Sequence, residues 1–323
     1  MKKICLLFGS SSYEHEISIK STKTIIKNID KSLYNISICG ISKTNEFYEY
    51  LDNPNSLDNN WLQKKVKKIP NIIKYLKHFD KLFPIIHGNN GEDGHIEGLL
   101  ELFNIPYVGC NSESSILGYN KYLTKIICEK NNIPQLPYII FHNNNPITSI
   151  NLDFPVIIKP SKCGSSIGIN IANNIQELNK YIKDAYKYDH TIIIEKYLPK
   201  RKELECAILI KENIITSSIG EIITNNNLYD YDSKYLKDTQ VKIPANISND
   251  LKEEIERYAK LITKILNLKD LSRIDFLYDT TNNKLYFNEV NTMPGFTSIS
   301  MYPLLFNYDN LSTKDLITKL IED

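Results

Sequence analysis

Short apolar runs alternate with amphipathic stretches over the first third of the chain. The run at residues 4–8 leads into Gly9 and three serines, which is typical of a buried strand that ends in a turn. Further apolar runs lie at residues 34–41 and 82–86. Between the first two runs a helix is predicted to begin near Glu14 with Ser12 as its cap, and its apolar stripe consists of Ile17, Ile25, Ile26 and Ile29. Strands that alternate with helices favour a parallel sheet, so residues 1–110 are predicted to form an α/β domain.

Helical and strand patterns continue to the C-terminus in a less regular order. Helices are predicted at residues 120–130, 175–187 and 249–266. Strands are predicted at residues 154–159, 167–171, 191–195, 205–210, 214–219, 272–278 and 284–290. Asparagine-rich patches at 143–145 and 225–227 are typical of loop tips. We expect a small α+β unit at residues 111–194 and a C-terminal unit at residues 195–323.

Composition narrows the class of protein. At roughly 100–200 residues per domain, 323 residues suggest two or three domains, and 42% of the residues are hydrophobic. Basic and acidic side chains number 39 and 38, so the chain lacks the broad positive field of a nucleic-acid or membrane-surface binder. No apolar stretch reaches the ~18 residues of a membrane span. The six cysteines form no C-x-x-C pair, which predicts reduced, mostly buried thiols in a cytoplasmic enzyme.

A charged hairpin is predicted near the C-terminus. Arg273 and Asp275 are two residues apart on one predicted strand, and the next strand carries Glu289 and Asn291 at the same spacing. Since alternate residues of a strand share a face, all four are expected on one side of the hairpin. Three oxygen side chains suit Mg²⁺, and the neighbouring arginine would stabilise negative charge. A solvent-facing charged surface is the alternative for each residue alone, but the following T-M-P-G-F-T-S-I-S, in which Ser300 could donate to a substrate carboxylate, favours a site.

A second constellation, V-I-I-K-P-S-K-C-G-S-S-I-G-I, spans residues 156–169. Its strand ends at Lys159, and a loop of small residues follows. Small residues let backbone N–H groups converge on phosphate oxygens, and the lysine adds a positive charge. The spacing differs from that of a Walker loop, which disfavours a P-loop fold. A plain hairpin loop stays open as the alternative.

A third segment, I-I-I-E-K-Y-L at residues 192–198, could present backbone groups to adenine. Glu195 within it could accept a hydrogen bond from the exocyclic amine of adenine, and Glu203 could hold the ribose hydroxyls. The signal is weak, because ordinary surface glutamates would give the same pattern.

Polar groups also follow two strands of the predicted N-terminal sheet. Glu14 and His87 lie where ligands bind in open α/β sheets, at the carboxyl ends of strands. The carboxylate could hold a substrate ammonium group and the imidazole a carboxylate, although a lone histidine is more often structural. The tyrosine- and lysine-containing loop at residues 229–236 could close over the site as a lid, with an ordinary surface loop as the alternative.

Together and in this order, these segments resemble the D-alanine–D-alanine ligases of the ATP-grasp superfamily over nearly the whole chain. H-G-N-N-G-E-D-G at residues 87–94 matches the family motif unchanged, and the family's G-x-x-x-E pattern begins at Gly9. The resemblance implies an α/β protein with an ATP-grasp fold preceded by an N-terminal parallel-sheet domain. It also implies ATP-dependent ligation of two D-alanines through an acyl phosphate, for peptidoglycan synthesis in the cytoplasm.

The resemblance further implies roles for individual residues. Catalytic positions would be Glu14, Ser165, Tyr235, Arg273 and Gly295. Nucleotide-binding positions would be Lys121, Lys159, Ser166, Glu195, Tyr197, Leu198, Glu203 and Lys234. Substrate-binding positions would be Glu14, His87, Arg273, Ser300 and Met301. Two Mg²⁺ ions, which Mn²⁺ can replace, would be held by Asp275, Glu289 and Asn291. The expected assembly is a homodimer without nucleic-acid or membrane partners.

The chain departs from the family pattern at a few positions. These are Ser10, Tyr119, Asn120, Glu97 and Cys163. They bear on nucleotide affinity rather than on the reaction, because none is an expected metal ligand.

Two alternatives remain beside D-alanine–D-alanine ligation. The first is a ligase that takes D-lactate or D-serine as its second substrate. The D-lactate ligases resemble one another in carrying histidine where this chain has Tyr235, which favours D-alanine here. The second is a degenerate ATP-grasp module that binds nucleotide without turnover, which the complete set of metal and phosphate positions disfavours.

Overall fold

The computed structural model describes residues 1–142, 146–223 and 240–322. Three sheets organise these residues, and the polypeptide builds them almost in chain order. In the described part of the chain, no helix is both long and apolar enough to cross a membrane.

The first sheet contains five strands in the order β4-β3-β2-β1-β5. The strands are β1 (Lys2–Gly9), β2 (Tyr34–Ile41), β3 (Phe47–Tyr50), β4 (Val66–Lys68) and β5 (Lys81–Ile85). β1 runs parallel to both β2 and β5, so the predicted parallel sheet is confirmed. The antiparallel edge formed by β3 and β4 was not predicted, because strands of four and three residues are too short to show a reliable period.

Four helices accompany this sheet. They are α1 (His15–Asn28), α2 (Ile72–Leu76), α3 (His95–Leu102) and α4 (Ser112–Tyr119). The four isoleucines of the predicted stripe on α1 and just beyond it are all buried. The predicted cap was wrong in detail, because Glu14 occupies the N-cap position and the Ser12 hydroxyl instead accepts a hydrogen bond from the Glu14 N–H.

The second sheet is antiparallel, in the order β6-β9-β7-β8. Its strands are β6 (Tyr138–Phe141), β7 (Val156–Pro160), β8 (Asn170–Ala172) and β9 (Ile192–Lys196), and helices α5 (Lys121–Lys130) and α6 (Ile175–Ala185) belong to the same region. The strand predicted at residues 167–171 was wrong at its start. Ser165, Ser166 and Gly168 have positive φ angles, so the chain turns through this stretch and pairs only from Asn170.

The third sheet is also antiparallel, in the order β12-β11-β10-β13-β14. Its strands are β10 (Arg201–Ile210), β11 (Ile214–Ile223), β12 (Gln240–Lys242), β13 (Leu271–Asp279) and β14 (Lys284–Asn291). Helices α7 (Asn249–Ile265), α8 (Met301–Tyr308) and α9 (Thr313–Ile321) complete the chain. The predicted hairpin is confirmed by the pairing of β13 with β14.

Apolar clusters lie on both faces of the third sheet. Alternate residues of β10 point to opposite faces and so belong to different clusters. Leu204 and Cys206 pack in one apolar cluster with α7, whereas Ala207 and Leu209 pack with α8 in another. The second cluster continues into the first sheet through Leu6 and neighbouring residues. The N-terminal and C-terminal parts of the chain therefore share one core. All six cysteines are free thiols and five are buried, as predicted.

Candidate active site

A pocket lies between the second and third sheets, and it gathers residues from α5, β7, β9, β10, β13 and β14. Nine of the residues singled out in the sequence line it: Lys121, Lys159, Ser166, Glu195, Tyr197, Leu198, Glu203, Asp275 and Glu289. Lys121 and Glu289 lie at opposite ends of this set in the chain, so the fold brings distant segments together.

A row of carboxylates crosses the third sheet at the floor of this pocket. Asp275 on β13 is paired in register with Glu205 on β10 and with Glu289 on β14. Directly paired residues of neighbouring strands project to the same face. Arg273 and Asn291 pair with each other one step along the same face. The four hairpin residues therefore share one face, as predicted from their spacing. Glu205 on β10 also lies on this face, which was not predicted.

Asp275 is the centre of the contacts in this row. Arg273 donates from Nε to Oδ1 at 2.7 Å and from Nη2 to Oδ2 at 2.8 Å. Asn291 donates from Nδ2 to the same Oδ2 at 3.0 Å. The guanidinium Nε also lies 2.9 Å from Oε2 of Glu205, so Arg273 has two carboxylate partners. One of them, Asp275, can release Arg273 without leaving the arginine unpaired.

The donor set suits a hard divalent cation. Asp275, Glu289 and Asn291 offer two carboxylates and an amide oxygen, the ligand types of Mg²⁺, which retains waters and phosphate oxygens for its other positions. No cluster of three or more His, Cys, Asp or Glu side chains in metal-binding geometry occurs among residues 1–142, 146–223 and 240–322.

Two lysines bring positive charge to the pocket. The Lys121 ammonium donates to the Cys163 carbonyl at 2.8 Å and lies 3.3 Å from Glu289 Oε2. Lys159 donates to Oε2 of Glu195 at 2.7 Å and to Oδ1 of Asn288 at 3.2 Å. Both lysine side chains are largely buried, which raises their effective field at the pocket.

Glu195, which was expected to contact adenine, also forms an ion-pair cluster with two lysines. Its side chain is buried, with Oε1 paired to Lys125 at 2.5 Å and Oε2 paired to Lys159. Burial by itself would raise the pKa of this carboxyl, but the attraction of Lys125 and then of Lys159 outweighs burial and lowers the pKa. A buried carboxylate needs such partners, and each oxygen of Glu195 has one.

The link after β9 is braced by an arginine. Arg201 donates to Glu203 Oε1 from Nε at 3.0 Å and from Nη2 at 2.6 Å. It also donates to the Leu198 carbonyl at 2.9 Å and lies over the Tyr197 ring, 5.2 Å from its centroid. Arg201 therefore fixes the positions of the residues expected to meet adenine and ribose.

Glu14 is enclosed by two glycine turns and the serine loop. The Ser165 hydroxyl donates to Glu14 Oε1. A Cβ atom at Gly88 would lie 2.5 Å from Glu14 Oε2, and one at Gly164 would lie 2.9 Å from it. Only glycine lets these two backbones approach the carboxylate so closely. The contact expected between Glu14 and Ser165 is present, whereas Lys234 and Tyr235 of the loop at 229–236 lie outside the described residues.

His87 makes two hydrogen-bond contacts within the protein. Its Nδ1 lies 3.0 Å from the Met293 carbonyl, so Nδ1 carries the proton, and Nε2 lies 2.9 Å from the Ser21 hydroxyl. Burial lowers the pKa of the ring, which keeps it neutral. The Ser21 oxygen also accepts a hydrogen bond from the Phe296 N–H. The ring therefore ties α1 to the tail after β14.

The half-buried Glu92 also holds this tail. Glu92 accepts hydrogen bonds from the Gly88 N–H at 2.7 Å and the Met293 N–H at 3.2 Å. Burial, followed by the nearby Glu14 charge, raises the pKa of Glu92. Farther along, the Ser300 oxygen accepts from the Thr297 N–H at 3.0 Å, and a Cβ at Gly295 would lie 2.8 Å from that oxygen.

Family models match both parts of this architecture. The model for the D-ala D-ala ligase N-terminus matches residues 3–110, and the model for the D-ala D-ala ligase C-terminus matches residues 127–322. This chain belongs to the D-alanine–D-alanine ligase family.

Individual members of the family are similar over their whole lengths. A D-alanine–D-alanine ligase from Acetivibrio thermocellus is 37% identical, with 99% of this chain and 95% of the relative aligned. One from Clostridium acetobutylicum is 40% identical, with 99% and 97% aligned. The crystal structure of the VanG D-Ala:D-Ser ligase from Enterococcus faecalis has a TM-score of 0.88 at 32% identity, covering 99% of this chain and 98% of that one. The expected ATP-grasp fold with an N-terminal domain is confirmed.

Membership of the D-alanine–D-alanine ligase family makes this chain an ATP-dependent enzyme that forms a carbon–nitrogen bond. Four residues near the site were not identified from the sequence: Glu92, Lys125, Arg201 and Glu205. Glu92 lies within the family motif at residues 87–94, which was a signal that it matters. The other three look like ordinary surface charges in the sequence, and only the fold shows that they contact site residues.

Proposed function

We propose that this chain joins two D-alanines into D-alanyl-D-alanine with conversion of ATP to ADP and phosphate, and supplies peptidoglycan synthesis in the cytoplasm. The observation that carries the proposal is the contact between Glu14 and Ser165. Glu14 belongs to the N-terminal sheet region, and Ser165 belongs to the loop beside the nucleotide pocket. A carboxylate at that junction suits an amino-acid substrate whose own carboxylate must reach the γ-phosphate.

The first step of the proposed reaction is phosphoryl transfer. Glu14 binds the ammonium group of one D-alanine, and the substrate's carboxylate oxygen attacks the γ-phosphorus of ATP. The bond to the β-phosphate oxygen breaks, which yields an acyl phosphate and ADP. Lys121, Lys159 and Ser166 hold the phosphates. Positioning and charge stabilisation carry most of such a transfer.

The second step is attack of the second D-alanine's amine on the acyl carbon, after which phosphate leaves. Arg273 and the Gly295 N–H stabilise the tetrahedral oxyanion, a contribution of roughly 3–4 kcal/mol for one good donor. Ser300 and Met301 hold the second substrate's carboxylate. His87 acts through the tail rather than on a substrate, because its ring nitrogens are already engaged.

Asp275, Glu289 and Asn291 form the proposed site for two Mg²⁺ ions. Mg²⁺ bound there would offset the negative charge of the β- and γ-phosphates. Glu205 can retain Arg273 when Asp275 turns its oxygens to a cation. The nucleotide's other end rests on the backbone of Tyr197 and Leu198, with the ribose on Glu203.

The metal assignment predicts the behaviour of Glu289→Gln. Loss of one anionic ligand should weaken Mn²⁺ binding, followed by electron paramagnetic resonance in the presence of ADP, about 10–100-fold. ADP release from ATP and D-alanine should fall in parallel. Glu253→Gln removes an exposed carboxylate on α7 and serves as the control. Equal Mn²⁺ affinity in Glu289→Gln and Glu253→Gln would refute the assignment.

D-Serine as the second substrate is a second candidate, because the similar structure from Enterococcus faecalis is a D-Ala:D-Ser ligase. The deciding experiment measures ADP release with D-alanine alone and with D-alanine plus D-serine or D-lactate, and identifies the products by mass. D-Alanyl-D-alanine as the main product of the mixtures near neutral pH supports the proposal. A mixed dipeptide or depsipeptide as the main product would replace it, and no ADP release with any D-amino acid would restore the non-catalytic alternative.

We also propose the division into domains at 1–110, 111–194 and 195–323, and assembly as a homodimer. The three sheets occupy successive parts of the chain, which supports the division.

A further inference from the structure

Lys125 is the most deeply buried lysine near the pocket, and it does not line the pocket. Its residue exposure is 2%, on the inner face of α5. The ammonium lies 2.5 Å from Glu195 Oε1, 3.5 Å from the Gln135 side-chain oxygen and 4.8 Å from the centroid of the Tyr138 ring. A buried ammonium with this many partners is oriented and cannot reach solvent.

Glu195 connects Lys125 to the pocket. One carboxylate oxygen pairs with Lys125 and the other with Lys159. Lys159 has three donors, of which two are used by Glu195 and Asn288, so a third is available to a ligand oxygen. The Lys159 position at the end of β7 is therefore set by a carboxylate whose own position is set by Lys125.

The charges in this group do not cancel. Two ammonium groups and one carboxylate carry a net charge of +1, and the pocket-facing member is Lys159. Without Lys125, the carboxylate would neutralise Lys159 alone, and the field at the phosphate positions would drop. Because this group is buried and weakly screened, removal of one charge from it changes the electrostatic potential at the phosphate positions strongly.

We propose that Lys125 is a positioning residue for the nucleotide: by occupying one oxygen of Glu195, it leaves the group of Lys125, Glu195 and Lys159 with a net charge of +1 and keeps Lys159 aimed at the phosphates. This inference rests on the proposed function, in which Lys159 contacts ATP. Nucleotide binding then requires the positive charge of Lys125, although Lys125 does not line the pocket.

The test measures ADP affinity by titration calorimetry in the presence of Mg²⁺ for three full-length variants. Lys125→Met removes the charge and keeps most of the side-chain volume. Lys125→Met with Glu195→Gln removes both charges and so restores the +1 on Lys159. Lys130→Met removes an exposed lysine from the same helix and is the matched control.

Lys125→Met should bind ADP about tenfold more weakly than the wild type, the lower end of what losing an outer partner of a ligand-holding group costs. The double variant should recover most of this loss, and Lys130→Met should match the wild type. The KM for ATP should follow the same order while the KM for D-alanine stays constant. A purely structural role for Lys125 would instead make the double variant at least as weak as the single one.

Wild-type affinity in Lys125→Met, or no recovery in the double variant, would overturn the inference and leave the proposed function intact. Failure of the wild type to bind ADP would overturn the proposed function and this inference together. If Lys125→Met does not fold, Lys125→Gln and Lys125→Gln with Glu195→Gln give the same comparison, because glutamine can keep a hydrogen bond to residue 195.

Discussion

Four carboxylates in and beside the candidate site are held by different chemistry. Glu14 accepts from a serine hydroxyl, and Glu92 accepts from two backbone N–H groups. Glu195 lies between two lysines, whereas Asp275 accepts a bidentate arginine. Burial opposes the charged form of Glu195, but its two lysine partners lower its pKa and keep it charged, whereas burial raises the pKa of Glu92.

Glu97 is a further carboxylate, outside this set of four. Its ionisation makes the free energy of unfolding depend on pH. It stands on α3 with 4% exposure, and its Oε2 has no hydrogen-bond partner among the described residues. Burial raises its pKa to about 8. Because folded Glu97 holds a proton that the unfolded chain releases near pH 4.5, the free energy of unfolding falls as pH rises between these values.

Glu97→Gln should therefore become more stable than the wild type as pH rises. The gain should grow by up to about 1.4 kcal/mol per pH unit, since glutamine cannot ionise. Urea unfolding at about pH 5 and about pH 8 measures the difference. Glu113→Gln on α4, where the side chain is exposed, is the control. A difference between Glu97→Gln and the wild type that does not change with pH would contradict the assignment.

The sequence predicts contacts between residues two apart on a strand better than contacts across the fold. Arg273 and Asp275 share a face because strand geometry requires it, and the short turn brings Glu289 opposite. Lys125 and Glu195 are separated by 70 residues, and no local period connects them. The contacts that His87 and Glu195 make within the protein were not predicted for the same reason, because their partners come from distant segments.

At the scale of elements, the turn after β5 depends on a glycine. Gly88 has a φ of +69°, and a Cβ there would meet the Glu14 carboxylate. Gly88→Ala should lower the free energy of unfolding by about 1–2 kcal/mol from the backbone alone. It should also raise the KM for D-alanine, because Glu14 must move.

Gly98→Ala is a matched control for Gly88→Ala. Gly98 lies inside α3, and the nearest atom to an added Cβ is 3.9 Å away. Alanine there should leave the kinetics unchanged and stabilise the helix by up to about 1 kcal/mol. Chemical unfolding and steady-state kinetics check both variants. Equal effects of the two substitutions would contradict the role given to the turn at Gly88.

The boundaries of regular elements could be predicted closely where the apolar period is long. The sequence predicted α7 at residues 249–266, and the structure has Asn249–Ile265, with the Ser248 hydroxyl accepting from the Leu251 N–H. It failed for β8, because apolar residues 167 and 169 look like strand residues although they lie in a turn. Positive φ at two serines is not visible in a hydrophobic pattern.

At the scale of the whole molecule, both ends of the chain meet. Glu322 accepts a hydrogen bond from the Tyr34 hydroxyl at 2.8 Å and pairs with Lys2. Leu320 on α9 and Trp61 near the first sheet belong to one apolar cluster. This long-range closure was not predicted, since apolar periods show which residues are buried but not which distant segment covers them.

Trp61, the single tryptophan, provides a test of this shared core. Leu320→Ala should lower the free energy of unfolding by about 2–5 kcal/mol because a buried leucine leaves a cavity. Trp61 fluorescence during urea unfolding should report the shift, although it lies in the N-terminal part. Leu178→Ala, in the separate cluster of the second sheet, should shift it less. An unchanged Trp61 midpoint in Leu320→Ala would show that the two ends unfold independently.

The central claim is that a D-alanine carboxylate is activated by the γ-phosphate of ATP before the peptide bond forms. The most direct measurement supplies D-alanine labelled with ¹⁸O in its carboxylate, with ATP and Mg²⁺, and analyses the products by mass spectrometry. We expect D-alanyl-D-alanine and a phosphate that has gained a labelled oxygen, because the carboxylate oxygen leaves with the phosphate. Dipeptide formed together with unlabelled phosphate would contradict the acyl phosphate, and phosphate released without dipeptide would contradict the ligation itself.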